Sequence, residues 1–154
     1  MGDGNDWVVG GAGADFIDVD RNGVAVGTDT GDDTIIGDNG VITLAIDGTL
    51  VAISAIVNSN DDDVDIINAG AGRAVIIGGG AGDVINSNSE SLNNLIIGDY
   101  GQDTFTDDGR GETAATNNAA IGGDDIITIA DGSSHILGGF GIDTITVNAG
   151  TGEM

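Results

Sequence analysis

The chain has 154 residues, 26 acids against three arginines and no lysine, a formal charge of −23, 29 glycines, and neither proline nor cysteine. That balance excludes nucleic acid and anionic membrane surfaces as partners, since phosphate binding needs clustered Lys and Arg, and it excludes a disulfide framework. The apolar content of 40%, rich in Ile and Val, is too high for a disordered acidic tail, yet five aromatics are too few to fill an ordinary globular core.

From the first residue the chain reads in nines. Residues 10–18 are Gly-Gly-Ala-Gly-Ala-Asp-Phe-Ile-Asp, and residues 138–146 are Gly-Gly-Phe-Gly-Ile-Asp-Thr-Ile-Thr. The eighth position carries Val8, Ile17, Val26, Ile35 and Leu44. It resumes as Ile67, Ile76 and Ile85, then Ile96 and Phe105, and ends as Ile127, Ile136 and Ile145. Apolar runs this short, dominated by β-branched residues, predict strands rather than helices, and the glycines after each predict tight turns. Two nines make one 18-residue turn with two short parallel strands, and stacked turns bury the eighth position between two sheets.

A longer period overlies the nine. Ile35-Ile36-Gly37-Asp38-Asn39-Gly40 returns as Ile96-Ile97-Gly98-Asp99-Tyr100-Gly101, and Asp65-Ile66-Ile67 returns as Asp125-Ile126-Ile127. Between these anchors, 41–59 and 102–119 break the nine. The first alternates apolar and polar residues around Asp47-Gly48, a hairpin signal, and the second has Asp108-Gly109 at the matching place. The expected fold is therefore all-β: a parallel β-roll, or β-solenoid, with two hairpin-like excursions. It would have about seven turns and, at ~4.8 Å between strands, a length of about 35 Å. Residues 1–154 read as one elongated unit without a linker, opening and closing inside repeat-like sequence, as a piece of a longer repeat protein would. No run of 18 apolar residues exists and Met1-Gly2-Asp3 does not open a signal peptide, so no membrane insertion is expected.

Acids recur at the sixth position of the nines, in alternation. Asp15, Val24 and Asp33 form one trio, Asp65, Ala74 and Asp83 the next, and Asp125, Ser134 and Asp143 the last. With two nines per turn, the acids of each trio are expected on one edge. Carboxylates one strand spacing apart repel unless a cation neutralises them. Calcium fits, as a hard ion taking six to eight oxygens from carboxylates and carbonyls, and glycines let those carbonyls turn inward. Zinc is disfavoured, with no Cys and only His135.

The motif Gly-Gly-x-Gly-x-Asp-x-aliphatic-x resembles the nonapeptide of the RTX, or haemolysin-type calcium-binding, repeats. Residues 10–18 and 138–146 match it fully, and 1–9, 28–36, 98–106 and 120–128 match in part. The resemblance implies a parallel β-roll binding calcium between neighbouring turns. Its ligands would be Asp15 with Asp33, Asp65 with Asp83 and Asp125 with Asp143, completed by carbonyls of loop residues such as Gly11, Gly13, Gly31, Gly79, Gly139 and Gly141. Asp6 and Asp103 are isolated further candidates. Val24, Ile42, Ala74, Ser134 and Asn94 stand where the pattern has an acid, Ala81 replaces a glycine, and Asn60-Asp61-Asp62-Asp63 replaces the glycines before Asp65. About three ion sites are expected rather than a full double column.

The remaining motifs are weak. Val75-Ile76-Ile77-Gly78-Gly79-Gly80-Ala81-Gly82 starts like a dinucleotide fingerprint but lacks its third glycine and its helix. His135 has no nucleophile beside it and reads as an outward strand residue. Trp7 and Tyr100 read as packing or capping residues, and Asp61, Asp62 and Asp63 as a solvated loop. No catalytic constellation is present, so no enzyme is expected. The leading expectation is a calcium-dependent structural module of a secreted or cell-surface protein, with neighbouring repeats as partners, unfolded for export and coiled outside the cell. The alternative is an adhesin-type module binding through an outer sheet face. An ice-binding face is disfavoured, because the seventh positions, from Trp7 and Phe16 to His135 and Thr144, form no rank of Thr or Asn.

Overall fold

The computed structural model of the chain describes residues 1–19, 22–26, 29–58, 63–88, 92–107, 111–118, 120–130 and 133–148. These residues are all-β, with no helix among them. In chain order the strands are β1 (Trp7–Val9), β2 (Phe16–Ile17), β3 (Asp33–Ile36), β4 (Gly40–Leu44), β5 (Leu50–Ala55), β6 (Ile66–Asn68) and β7 (Ala74–Gly79). There follow β8 (Val84–Ser87), β9 (Leu92–Asp99), β10 (Gly101–Phe105), β11 (Gly111–Thr116), β12 (Ile126–Ile129), β13 (Ser133–Leu137) and β14 (Thr144–Val147).

They form three sheets. Two are parallel and five-stranded, in the orders β1-β3-β7-β9-β13 and β2-β6-β8-β12-β14, and the chain alternates between them. Registration puts the eighth-position residues in rows. Val8, Ile35, Ile76, Ile96 and Ile136 are successive partners in the first sheet. Ile17, Ile67, Ile85, Ile127 and Ile145 are partners in the second. The two rows meet in one core in which Ile35, Ile67, Ile76, Ile85, Ile96 and Ile127 are fully buried. Each such isoleucine contributes about 1.5–3 kcal/mol of burial.

The third sheet is antiparallel, in the order β11-β10-β5-β4. Its first half is the hairpin expected around Asp47-Gly48, where Gly48 takes φ 88° and the Ala45 N–H donates to the Thr49 carbonyl at 2.8 Å. The second half, β10–β11, is the second excursion; its expected tip at Asp108-Gly109 lies outside the described residues, as do Asp61 and Asp62 of the expected acidic loop. The two excursions are not independent, because β5 pairs with β10. Together they cover the outer face of the first parallel sheet, burying Ile36, Ile77 and Ile97 against Ile53, Tyr100 and Phe105. The recurring Ile-Gly-Asp-x-Gly is the corner that launches each hairpin. A Cβ on Gly40 would meet Ile36 and the Ser54 carbonyl, and one on Gly101 would meet Ile97 and the Ala115 carbonyl, so a larger residue at either corner forces its neighbours to shift.

Several expectations change. Each parallel sheet has five strands rather than the seven turns spacing suggested, because the segment around Val26 gives neither sheet a strand and Leu44 and Phe105 lie in the antiparallel one. Val19 pairs antiparallel with Ala25, so the segment doubles back. Val26 is consequently exposed, Leu44 lies on the exposed side of the first hairpin, and Phe105 belongs to the core under the hairpins. The outer face of the first sheet is covered at its centre, while Trp7 and His135 on its edge strands stay exposed. The outer face of the second presents Phe16, Ile66, Val84, Ile126 and Thr144, with no matched rank.

Truncating the centre of an isoleucine row leaves a cavity that flanking rungs cannot close. Ile76→Ala should destabilise the folded chain by about 2–5 kcal/mol, read as a lower denaturant midpoint with unchanged m-value. The same change at Ile145, 44% exposed at the end of its row, should have a much smaller effect.

Candidate metal centre

Each strand of the second parallel sheet is preceded by one aspartate: Asp15, Asp65, Asp83, Asp125 and Asp143. Strand order turns these five into one column. The backbone N–H of Asp15 donates to Oδ1 of Asp65 at 2.8 Å, Asp65 to Asp83 at 2.8 Å, Asp83 to Asp125 at 2.8 Å, and Asp125 to Asp143 at 3.2 Å. One carboxylate oxygen per rung thus stitches the loop before its neighbour. The other is left over: Oδ2 of Asp15, Asp65, Asp83 and Asp125 is buried with no donor among the described residues.

Facing these oxygens runs a column of glycines at the ends of the first-sheet strands: Gly10, Gly37, Gly78, Gly98 and Gly138. A Cβ on any of them would run into Oδ2 of Asp15, Asp65, Asp83, Asp125 and Asp143 respectively. On Gly10, Gly37, Gly78 and Gly98 it would also strike the carbonyl oxygen of the next glycine in the column. Carboxylate and carbonyl oxygens are therefore brought together where no side chain fits. Gly11, Gly13, Gly79, Gly139 and Gly141 lie in the same loops, with φ between 97° and 134°.

Asp33 is on the opposite edge, which corrects its expected pairing with Asp15. It starts a first-sheet strand in register with Ala74, and its Oδ1 accepts the Asp6 N–H at 3.1 Å. The cause is the segment 19–26: with no rung there, the next nine moves to the other sheet. Further along this edge the column is neutral, with the Ala74 N–H bonded to Asn94 Oδ1 at 3.0 Å and Asn94 Nδ2 to Ser134 Oγ at 3.3 Å. Its acids gather at one end. Asp6, Asp29 and Asp33 each bring an oxygen within 4.8 Å of the others, a cluster that could hold a metal ion. Oδ2 of both Asp29 and Asp33 is buried without a donor among the described residues. Gly31 belongs to this edge, its N–H bonded to Asp29 Oδ1 at 3.1 Å.

Burial dominates the electrostatics. Desolvation pushes Asp65, Asp125 and Asp33 up to about 7, against the lowering effect of the N–H each accepts. In the middle of the column, desolvation pushes Asp83 to about 9, and the charges of Asp65 and Asp125 add to it. Asp15, at the column's end, is raised for the same first reason.

The structure brings together Asp65 with Asp83 and Asp125 with Asp143 as expected, and joins both pairs with Asp15 into one run. Asp103 lies elsewhere, within the hairpin sheet, where its Oδ1 accepts N–H from Thr104 and Thr113 at 2.8 and 3.0 Å. Three residues escaped the sequence reading. Asp29 falls outside the sixth position, and the cue was the density of acids in Asp29-Thr30-Gly31-Asp32-Asp33. Asp38 and Asp99, the acids of the repeated corner, hold neighbouring glycine loops: Asp38 accepts the Gly80 N–H at 2.6 Å, and Asp99 accepts those of Gly123, at 3.0 Å, and Phe140. No family model, curated protein or solved structure matches the chain.

Two outcomes are expected. Gly78→Ala should destabilise by at least about 1–3 kcal/mol, because its methyl meets a carbonyl and a carboxylate that cannot yield; Gly11→Ala, with open space and only φ strain, should lose about 1–2 kcal/mol. In metal-free buffer the folded chain holds more protons than the unfolded chain between 3.8 and the raised values, so stability falls as pH rises. Thermal midpoints from pH 5 to pH 9 should decline, most steeply below about 7 where all four groups act, and level off near 9. A midpoint that climbs across this range contradicts the assigned burial.

Proposed function

We infer that the chain is a non-catalytic, calcium-dependent structural module, in which the parallel sheets are opposite walls of a β-roll and calcium sits between successive loops of the acid column. One observation carries this reading: four consecutive carboxylates, each with a buried oxygen that has no donor among the described residues, aligned with a column of peptide carbonyls. The donor set fits the ion, being all oxygen, multidentate and without thiol or imidazole. Asp15, Asp65, Asp83, Asp125 and Asp143 would hold ions along the column, with Asp6, Asp29 and Asp33 as a separate site. The ion supplies positive charge where protons otherwise must, so the ionised column becomes compatible with stacking. Alternation of the chain between the two parallel sheets supports the roll, and the register of the nine supports the RTX-like assignment.

Such a module suits a secreted or cell-surface protein whose neighbouring repeats extend the stack. Without cation, a charge of −23 opposes compaction, which lowers the stability of the folded chain and eases its unfolding for export. With an affinity of about 0.1 mM and about 1 mM calcium outside the cell, each ion adds roughly 1.4 kcal/mol, and three add about 4, comparable with a domain's whole margin.

Calorimetric titration at pH 8 should give more than two calcium ions per chain, with a gain of strand circular dichroism. Asp83→Asn separates the roles of the column. Its amide oxygen can still accept the Asp65 N–H while the buried charge is gone, so in EDTA the variant should melt higher than wild type. In calcium it should bind fewer ions and gain less. A variant equally stabilised by calcium, or a wild type indifferent to calcium, refutes the reading.

A further inference from the structure

A cavity of about 190 Å³ lies on the far side of the first parallel sheet from the acid column's core, between that sheet and the tip of the first hairpin. Its floor is the register row Trp7–Thr34–Val75 across β1, β3 and β7. Thr49 and Leu50, from the hairpin, form the facing wall. Trp7 is the chain's single tryptophan, lines this cavity and remains 50% exposed.

The rim is polar and fixed in place. The Asp32 N–H donates to Asn5 Oδ1 at 3.0 Å, and the Arg73 N–H donates to Asp32 Oδ1 at 2.9 Å. Arg73 places its guanidinium carbon 5.4 Å from the centroid of the Phe105 ring and lies in the field of Asp32 and Asp103. Trp7 and the polar residues Asn5, Asp32, Asp33, Thr34 and Arg73 therefore line one small space.

We propose that this cavity is a binding site for a neutral hexopyranose ring. The chemistry selects the class. A net charge of −23 and the lining carboxylates of Asp32 and Asp33 repel anions, and Arg73 in the same lining partly offsets their pull on cations. A wholly apolar ligand would strand the polar rim groups. A pyranose has an apolar C–H face to lie on the indole and equatorial hydroxyls that both donate and accept. Asp32 accepts from one hydroxyl, and Arg73 and Asn5 donate to others. The volume admits a single ring, so the ligand is a monosaccharide or the end of a glycan chain. The pocket uses none of the five column aspartates, but Asp33 in its lining belongs to the proposed Asp6, Asp29 and Asp33 cation site, so the titrations in EDTA separate sugar binding from that site.

Because Trp7 is the one tryptophan, its fluorescence reports on the pocket directly. Glucose, galactose and mannose are titrated separately into the full chain, with adenine as a flat aromatic control. Each titration is run in calcium and in EDTA wherever circular dichroism shows strand. At least one hexose should change Trp7 emission saturably, half-saturating in the millimolar range as suits one ring held by few contacts. Ligand-observed NMR should show that binding lost in Trp7→Ala and weakened about tenfold or more in Asp32→Ala, where a hydrogen bond to a charged group goes. Should those variants fail to fold, Thr49→Phe fills the cavity from the exposed hairpin tip and should abolish binding while strand content stays intact. No saturable response to any hexose by the folded chain, a response to adenine alone, or sugar binding that survives both Trp7→Ala and Thr49→Phe overturns the proposal. A chain without strand in either buffer overturns the pocket together with the fold, whereas sugar binding in EDTA leaves the calcium question to its own titration.

Discussion

Everything else in this structure depends on a row of carboxylates buried one above another at a sheet edge. Four of the five, Asp65, Asp83, Asp125 and Asp143, use one oxygen to accept the peptide N–H of the preceding loop, which ties successive rungs together. The arrangement also concentrates negative charge away from water. Desolvation is the leading cause of every raised value along the column, and the middle residue, Asp83, is the most affected. Ionised and bare, such a row is disfavoured by desolvation and by the mutual repulsion of its charges.

The glycines opposite are part of the same constraint. At Gly10, Gly37, Gly78, Gly98 and Gly138 the requirement is space, since any Cβ would occupy the volume in which carboxylate and carbonyl oxygens meet. The nine-residue motif thus combines two demands, tight turns at some glycines and close approach at others. Ala81 illustrates the difference. It takes the fourth-position glycine's place at φ 60°, a left-handed conformation in which a residue with a Cβ carries local strain.

Much of this was legible from residue order alone. The eighth-position isoleucines identified the central core, Asp47-Gly48 identified a hairpin, and the sixth-position aspartates identified the acid edge. What could not be read was parity. Every nine begins a strand in the same way, so the sequence does not say to which sheet a given nine belongs. Whether 19–26 forms a rung decides on which edge Asp33 falls, and Val24 and Val26 look like strand residues although the segment folds back on itself. The joining of the two hairpins was equally hidden, because β5 and β10 meet through a pairing that no local pattern encodes. Asp29 was missed because its role comes from the fold around it rather than from its place in the repeat.

That joining alters how the molecule must come apart. Stacked repeats touching only their neighbours would unravel rung by rung from either end. Here the first hairpin leaves from β3 and the second from β9, and their pairing clasps the two across the intervening β7. The span from β3 to β9 is therefore cross-tied and must open as a block, leaving piecemeal fraying to the outermost strands on either side.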